Sequence, residues 1–268
     1  MAALGFIGLG NMGAAVLKGF CASPASKTVS LYGYDASAEK KPLLERYGGR
    51  FLSSEVEVAE KCEYVFLAVK PQQAGEVLRK AAPALTARSV VISICSGITA
   101  EFIRARTRGD LKVVRVMPNT PMMLGLGASA VSSDGLVSPK ELGFALSIIE
   151  SCGIAEIIPS GKMNEIICVN GSSPAFIYLF AKCFIDYAVE CGIDEKAALN
   201  LFSQTLAGAA KMLSCSGMGV GELIAQVTSK GGTTAAGLEK LRSGGFAETV
   251  RAACEACTSR AYELGEQV

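Results

Sequence analysis

The chain of 268 residues contains no histidine and no tryptophan. Without imidazole there is no serine–histidine or cysteine–histidine nucleophile pair, and the commonest general acid or base is missing. Excess charge is absent too: 26 Lys and Arg against 25 Asp and Glu leave a formal net charge of +1. No basic footprint of a nucleic-acid binder appears, so neither DNA nor RNA is an expected partner. The longest apolar stretch, Ala175 to Val189, is broken by Lys182 and Asp186, whereas a membrane span needs roughly 20 nearly uninterrupted apolar residues. It reads as a buried helix, and no membrane is expected. Cysteine is not scarce, at ten residues, but its one close pair, Cys254 and Cys257, has no second pair beside it. A zinc site needs about four such ligands, so no metal is expected and the thiols read as small buried hydrophobes. The chain opens directly on Leu4-Gly5-Phe6-Ile7-Gly8 without the pattern of a cleavable leader. With ten thiols, that gives the expectation of a cytoplasmic protein.

What is present falls into two parts. Up to residue 160, short β-branched runs alternate with helical patterns. The strands are expected at Leu4–Ile7, Val29–Tyr34, Tyr64–Ala68, Ser89–Ile94, Lys112–Met117, Ala128–Val131 and Ala155–Ile158. Helices such as Met12–Phe20, Ala74–Lys80 and Lys140–Ser151 lie between them. That alternation is the form of a parallel sheet covered on both faces, an α/β doubly wound, Rossmann-like fold with a mostly parallel sheet. After Pro159-Ser160-Gly161 the pattern becomes long apolar-periodic helices with glycine breaks, which predicts an all-helical C-terminal domain over 161–268. So small a domain with so much apolar face calls for a partner subunit and is read as a dimerisation domain.

The first strand runs into Gly8-Leu9-Gly10-Asn11-Met12-Gly13 and then a helical run from Ala14. In that strand–turn–helix context Gly8 permits the tight turn, Gly10 lets the backbone approach a pyrophosphate, and Gly13 lets helix pack on strand. Asn11 and Met12 then offer N–H groups at the helix start, where phosphate is favoured. Asp35, 22 residues after Gly13 (35 − 13), ends the second strand, close to the ~20 expected for the acid that meets the ribose hydroxyls. A carboxylate there favours NADH, while Ser37, Lys40 and Lys41 nearby offer room for a 2′-phosphate, so NADPH or NADH is the expected cofactor. Other strand ends should line the same crevice: Ala68-Val69-Lys70-Pro71, Cys95-Ser96-Gly97, and Asn119 within Met117-Pro118-Asn119-Thr120-Pro121.

These motifs occur in one order with two more, Gly171-Ser172-Ser173-Pro174-Ala175 and Val227-Thr228-Ser229-Lys230-Gly231-Gly232-Thr233-Thr234. The set resembles pyrroline-5-carboxylate reductase over essentially the whole chain. The resemblance implies reduction of 1-pyrroline-5-carboxylate to L-proline by hydride transfer from NAD(P)H. It also implies a homodimer, built into a larger ring in some members. Carried over, Ser229, Gly231, Gly232, Thr233 and Thr234 would hold the substrate carboxylate. Thr234, as the catalytic residue, would hydrogen-bond the ring nitrogen. The glycines make physical sense of this, since successive N–H groups can form an anion nest ahead of a helix.

Two residues depart from the family pattern: Lys230 stands where proline is usual, and Glu55 stands near an asparagine that faces the adenosine ribose phosphate in some members. Two other readings compete. The run from Gly5 to Gly13 also resembles the opening of β-hydroxyacid dehydrogenases, but those require a helix lysine with an asparagine one turn on, and neither Lys182 nor Lys162 with Asn164 has that placement. A non-catalytic dinucleotide-binding sensor would keep the glycine loop but has no use for an anion nest at Ser229–Thr234.

Overall fold

The computed structural model describes residues 2–266. Eight strands form one sheet: β1 Ala2–Ile7, β2 Val29–Tyr34, β3 Arg50–Phe51, β4 Tyr64–Leu67, β5 Val90–Ser93, β6 Lys112–Met117, β7 Gly127–Ser133 and β8 Gly153–Ile157. Their order across the sheet is β3-β2-β1-β4-β5-β6-β7-β8. All neighbours pair in parallel except β6 and β7, so the last two strands run against the others. The seven expected strands are all present, with ends within two residues of expectation. The two-residue edge strand β3 carries too little pattern to be read from sequence.

Among the described residues, the α-helices of the sheet region are α1 Asn11–Ala22, α2 Lys41–Arg46, α3 Glu55–Lys61, α4 Pro71–Ala81, α5 Ala100–Arg106, α6 Pro139–Glu150 and α7 Ile167–Asn170. Both faces of the sheet are buried because alternate strand residues point to opposite sides. Leu4, Phe6, Tyr64, Phe66, Val90 and Ile92 pack with Val16, Leu17 and Phe20 of α1 and Ile148 of α6. Ile7, Val65, Leu67 and Val91 pack with Val58 of α3, Leu78 of α4 and Ile103 of α5. At about 25 cal/mol per Å² of apolar area, these two layers dominate the stability of this unit.

Five further helices follow: α8 Ser173–Glu190, α9 Glu195–Cys215, α10 Val220–Gln226, α11 Thr233–Ser243 and α12 Phe246–Glu266. Packing divides the chain into two units. Residues up to Pro174, with those from Ala256 on, form the first, and Ala175–Glu255 form the second. Inside the second, Phe180, Phe184, Phe202 and Phe246 cluster through ring contacts. Around that small centre Tyr178, Leu179, Tyr187, Leu201 and Leu213 stand exposed. Large apolar side chains exposed in such number are a feature of interaction surfaces. Among the described residues, no helix is long and apolar enough to cross a membrane.

Candidate active site

The chain reverses direction in strand order between β1, which connects to β2 on one side, and β4 on the other. At such a switch point the carboxyl ends of the strands splay apart and leave a crevice. Here it is a cleft of about 340 Å³ whose lining includes Gly8, Gly10, Asp35, Glu55, Lys70 and Lys80. A hollow of about 330 Å³ bounded by Lys61, Glu63, Arg88 and Ser89 lies instead at the amino ends of β4 and β5, the edge where α/β folds do not place their chemistry.

The glycine turn is built as its spacing suggests. Gly8 has φ +96°, a conformation that side chains rarely adopt, and its N–H donates to the Tyr34 carbonyl at 2.9 Å. A Cβ on Gly13 would run into the Gly8 carbonyl, whereas one on Gly10 would meet nothing. The open space at Gly10 is what a phosphate needs for close approach. Gly10 is the N-cap of α1 and provides no side-chain cap, so the N–H groups of Asn11, Met12 and Gly13 have no intrahelical acceptor and point their positive end outward. Met12 is half-buried and Asn11 exposed. A dinucleotide pyrophosphate fits this cradle.

Asp35 braces the turn. Its Oδ2 accepts the N–H of Leu9 at 2.7 Å, and its Oδ1 accepts the N–H of Ser37 at 2.9 Å. Lys70 is exposed at the N-cap of α4, where Pro71 takes the first helical position and needs no hydrogen bond. Ala68 and Val69 line the cleft with it. Cys95 joins this loop to the next: its thiol donates to the Val69 carbonyl at 3.2 Å, and burial pushes its pKa up to about 11. Ser96 is exposed beside it, and Gly97 lies against the backbone of Leu264 and Gly265.

Asn119 was expected to offer polar contacts to the cofactor, and the structure gives its amide an internal duty. Buried, it donates from Nδ2 to the Asn170 carbonyl at 3.1 Å and accepts the Ala128 N–H at 2.9 Å. Asn170, not anticipated from sequence, completes the brace by donating to the carbonyls of Met117 (2.7 Å) and Ala128 (3.0 Å). These partners lie 51 and 53 residues apart along the chain, so no local signal announces them. Gln73, Val77 and Lys80 of α4 were also missed as cleft-lining residues. An amphipathic helix shows which face is apolar, not which polar residues look into a crevice.

In the second unit, the Gly232 N–H donates to the Ser229 carbonyl at 3.0 Å and closes a turn. Gly231, its third residue, has φ +74°. A Cβ on Gly232 would press on the Ser229 Oγ at 2.5 Å, which places that hydroxyl over the turn. Gly232 is the N-cap of α11 without a side-chain cap. Thr233 and Thr234 therefore open the helix with N–H groups that have no intrahelical acceptor, and both side chains are exposed. This is a concave set of donors suited to a small carboxylate.

A model described as pyrroline-5-carboxylate reductase dimerisation matches residues 160–264, and one described as NADP oxidoreductase, coenzyme F420-dependent, matches residues 3–97. The pyrroline-5-carboxylate reductase of Escherichia coli is 33% identical over 264 residues, 98% of either chain. The chain belongs to the pyrroline-5-carboxylate reductases. The reductase of Pisum sativum is 34% identical, covering 97% of this chain and 95% of its own. Among solved structures, a pyrroline carboxylate reductase of Plasmodium falciparum with NADP bound superposes with a TM-score of 0.86 at 32% identity, covering 98% of both chains. The reductase of Coxiella burnetii reaches 0.90 at 30% identity and 97% coverage of both. The β-hydroxyacid dehydrogenase reading rested on the glycine loop alone, and the likeness to reductases runs through the helical part as well.

Proposed function

We propose that this chain reduces 1-pyrroline-5-carboxylate to L-proline, the last step of proline biosynthesis. The observation that carries the reading is the uncapped turn and helix start at Ser229–Thr234 in a chain akin to named reductases along 98% of its length. Residues 1–160 are the dinucleotide-binding part and 161–268 the substrate and dimerisation part. Gly8, Gly10 and the first turn of α1 hold the pyrophosphate, and Asp35 meets the adenosine ribose. Ala68 to Pro71, Cys95 to Gly97 and the backbone at Asn119 bound the rest. NADH or NADPH, when bound, supplies the hydride for the imine carbon.

The protein's own residues bind and orient. Ser229 and the N–H groups of Gly231, Thr233 and Thr234 hold the carboxylate, with the Gly232 N–H closing the turn on Ser229, and Thr234 hydrogen-bonds the ring nitrogen. An imine nitrogen of this kind takes its proton from water, so orientation is the main task and imidazole is not needed. The exposed apolar helices of the second unit pair with those of a second copy, giving a homodimer, and dimers assemble further into a ring. The compartment is the cytoplasm, in keeping with ten free thiols.

The test is turnover. Purified protein mixed with pyrroline-5-carboxylate and NADH should consume the reduced cofactor and form proline. Turnover with 3-hydroxy acids alone, or none with any substrate, would overturn the reading.

A further inference from the structure

Glu55 is a charged side chain in the cofactor cleft. It opens α3 behind the Ser54 cap, lines the cleft with Gly8, Gly10 and Asp35, and is only 5% exposed. A buried carboxylate requires compensation, and Lys80 Nζ lies 3.6 Å from it. The same ammonium is 2.7 Å from Glu76, one helical turn away, and is more than half exposed. One cation therefore serves two carboxylates. Among the charged residues that line the cleft, Asp35, Glu55 and Glu76 face Lys70 and Lys80, a balance of −1. Walls of low dielectric make that balance felt by an entering anion.

Resting on the reading of this cleft as the seat of NAD(P)H, we propose that Glu55, together with Asp35, makes the chain select NADH over NADPH. A 2′-phosphate adds close to two negative charges, and enzymes that accept it place an arginine near the end of the second strand. Here Asp35 is followed by Ala36-Ser37-Ala38-Glu39. Lys41 is paired with Glu45 at 3.8 Å, and neither Lys40 nor Lys41 lines the cleft. Of the two cleft lysines, Lys80 is the one beside Glu55, and Glu55 and Glu76 already hold it. Neutralising Glu55 removes a repulsion and leaves that ammonium shared with one carboxylate, Glu76, instead of two.

Titration calorimetry with NADH and NADPH on the wild-type protein and on Glu55→Gln, at fixed low salt, tests this. The wild type should bind NADH about tenfold more tightly than NADPH, and Glu55→Gln should tighten NADPH about tenfold while leaving NADH within about twofold. Raising salt on the wild type should narrow the gap through screening, a readout that needs no variant to fold. Equal or tighter NADPH binding by the wild type, a ratio unchanged in a folded Glu55→Gln, or a ratio indifferent to salt would each overturn the proposal. With either of the first two, proline formation would continue and only this inference would fall. Failure to bind either dinucleotide would remove the functional reading along with it.

Discussion

The carboxylate of Asp35 accepts the backbone N–H of Leu9 at 2.7 Å across 26 residues of sequence. The end of the second strand and the glycine turn of the first are thereby one rigid piece. A second bond, from the Ser37 N–H at 2.9 Å, fixes the carboxylate from the other side. Hydrogen bonds to a charged acceptor contribute about 1.5–3 kcal/mol each. Asp35→Ala should therefore lower Tm and weaken NADH by about tenfold or more, and weaken NADPH less because a repelling charge leaves with the brace, as calorimetry and thermal denaturation would show. An unchanged affinity for both would mean that the brace does not shape the cradle.

Two of the turn's glycines, Gly13 and Gly10, should fail in different ways. A Cβ on Gly13 meets the Gly8 carbonyl and the Ala68 side chain, while Gly10 faces open space. Gly13→Ala should cost about 1–3 kcal/mol of stability through overpacking. Gly10→Ala should leave Tm nearly unchanged and still impair dinucleotide binding, because its methyl group takes the room meant for phosphate. Melting curves with and without NADH separate the two.

Thr234 sits in the first turn of α11 with an exposed side chain, so its removal should not disturb the fold. Thr234→Val should lower kcat/KM for pyrroline-5-carboxylate about 10²-fold, with cofactor affinity unchanged and Thr234→Ser recovering most of the loss. Steady-state kinetics with full activity in Thr234→Val would take this residue out of the site.

Burial pushes the Cys62 thiol up to about 12 and the Cys95 and Cys21 thiols up to about 11. Raised folded-state values mean that the contribution of these thiols to stability is fully present below the ordinary thiol pKa of about 8.5. It is lost as pH rises through the folded values, since only the unfolded chain releases those protons early. Denaturant midpoints should thus fall steadily above about pH 8.5, and Cys62→Ala should flatten the decline. A flat alkaline limb in the wild type would contradict the burial of these thiols.

Leu201 on α9 is 70% exposed in the single chain, so changing it removes no internal contact of note. Leu201→Glu should shift a dimer, or an even multiple, towards monomers in light scattering, while the helical circular dichroism of each chain persists. An unaltered mass would place the partner on another face.

Much of this protein was legible in its residues. Seven of the eight described strands, all but β3, showed as short apolar runs because the sheet is covered on both faces. Gly8, Gly10 and Gly13 announced the turn because only glycine satisfies its three separate backbone demands. Ser229 to Thr234 were found through family resemblance, and the glycine pair there supports an anion nest on its own chemistry. What stayed hidden was long-range. The two residues of β3 form an edge with no pattern of their own. Asn119 looked like a ligand contact from its place in a loop, yet its amide is engaged with Ala128 and Asn170. Glu55 was noted as a departure, but not its sharing of Lys80 with Glu76.

The sequence alone determined the periodicities, the glycine-bearing turns, the missing imidazole and the order of motifs, because these follow from local backbone sterics and from which side chains exist. Tertiary structure alone decided which of the polar residues are braces and which face the crevice. Partners such as Leu9 with Asp35 and Asn119 with Asn170 are brought within hydrogen-bonding distance only when the sheet assembles. Burial then sets whether each charge is solvated or must be answered by a neighbour.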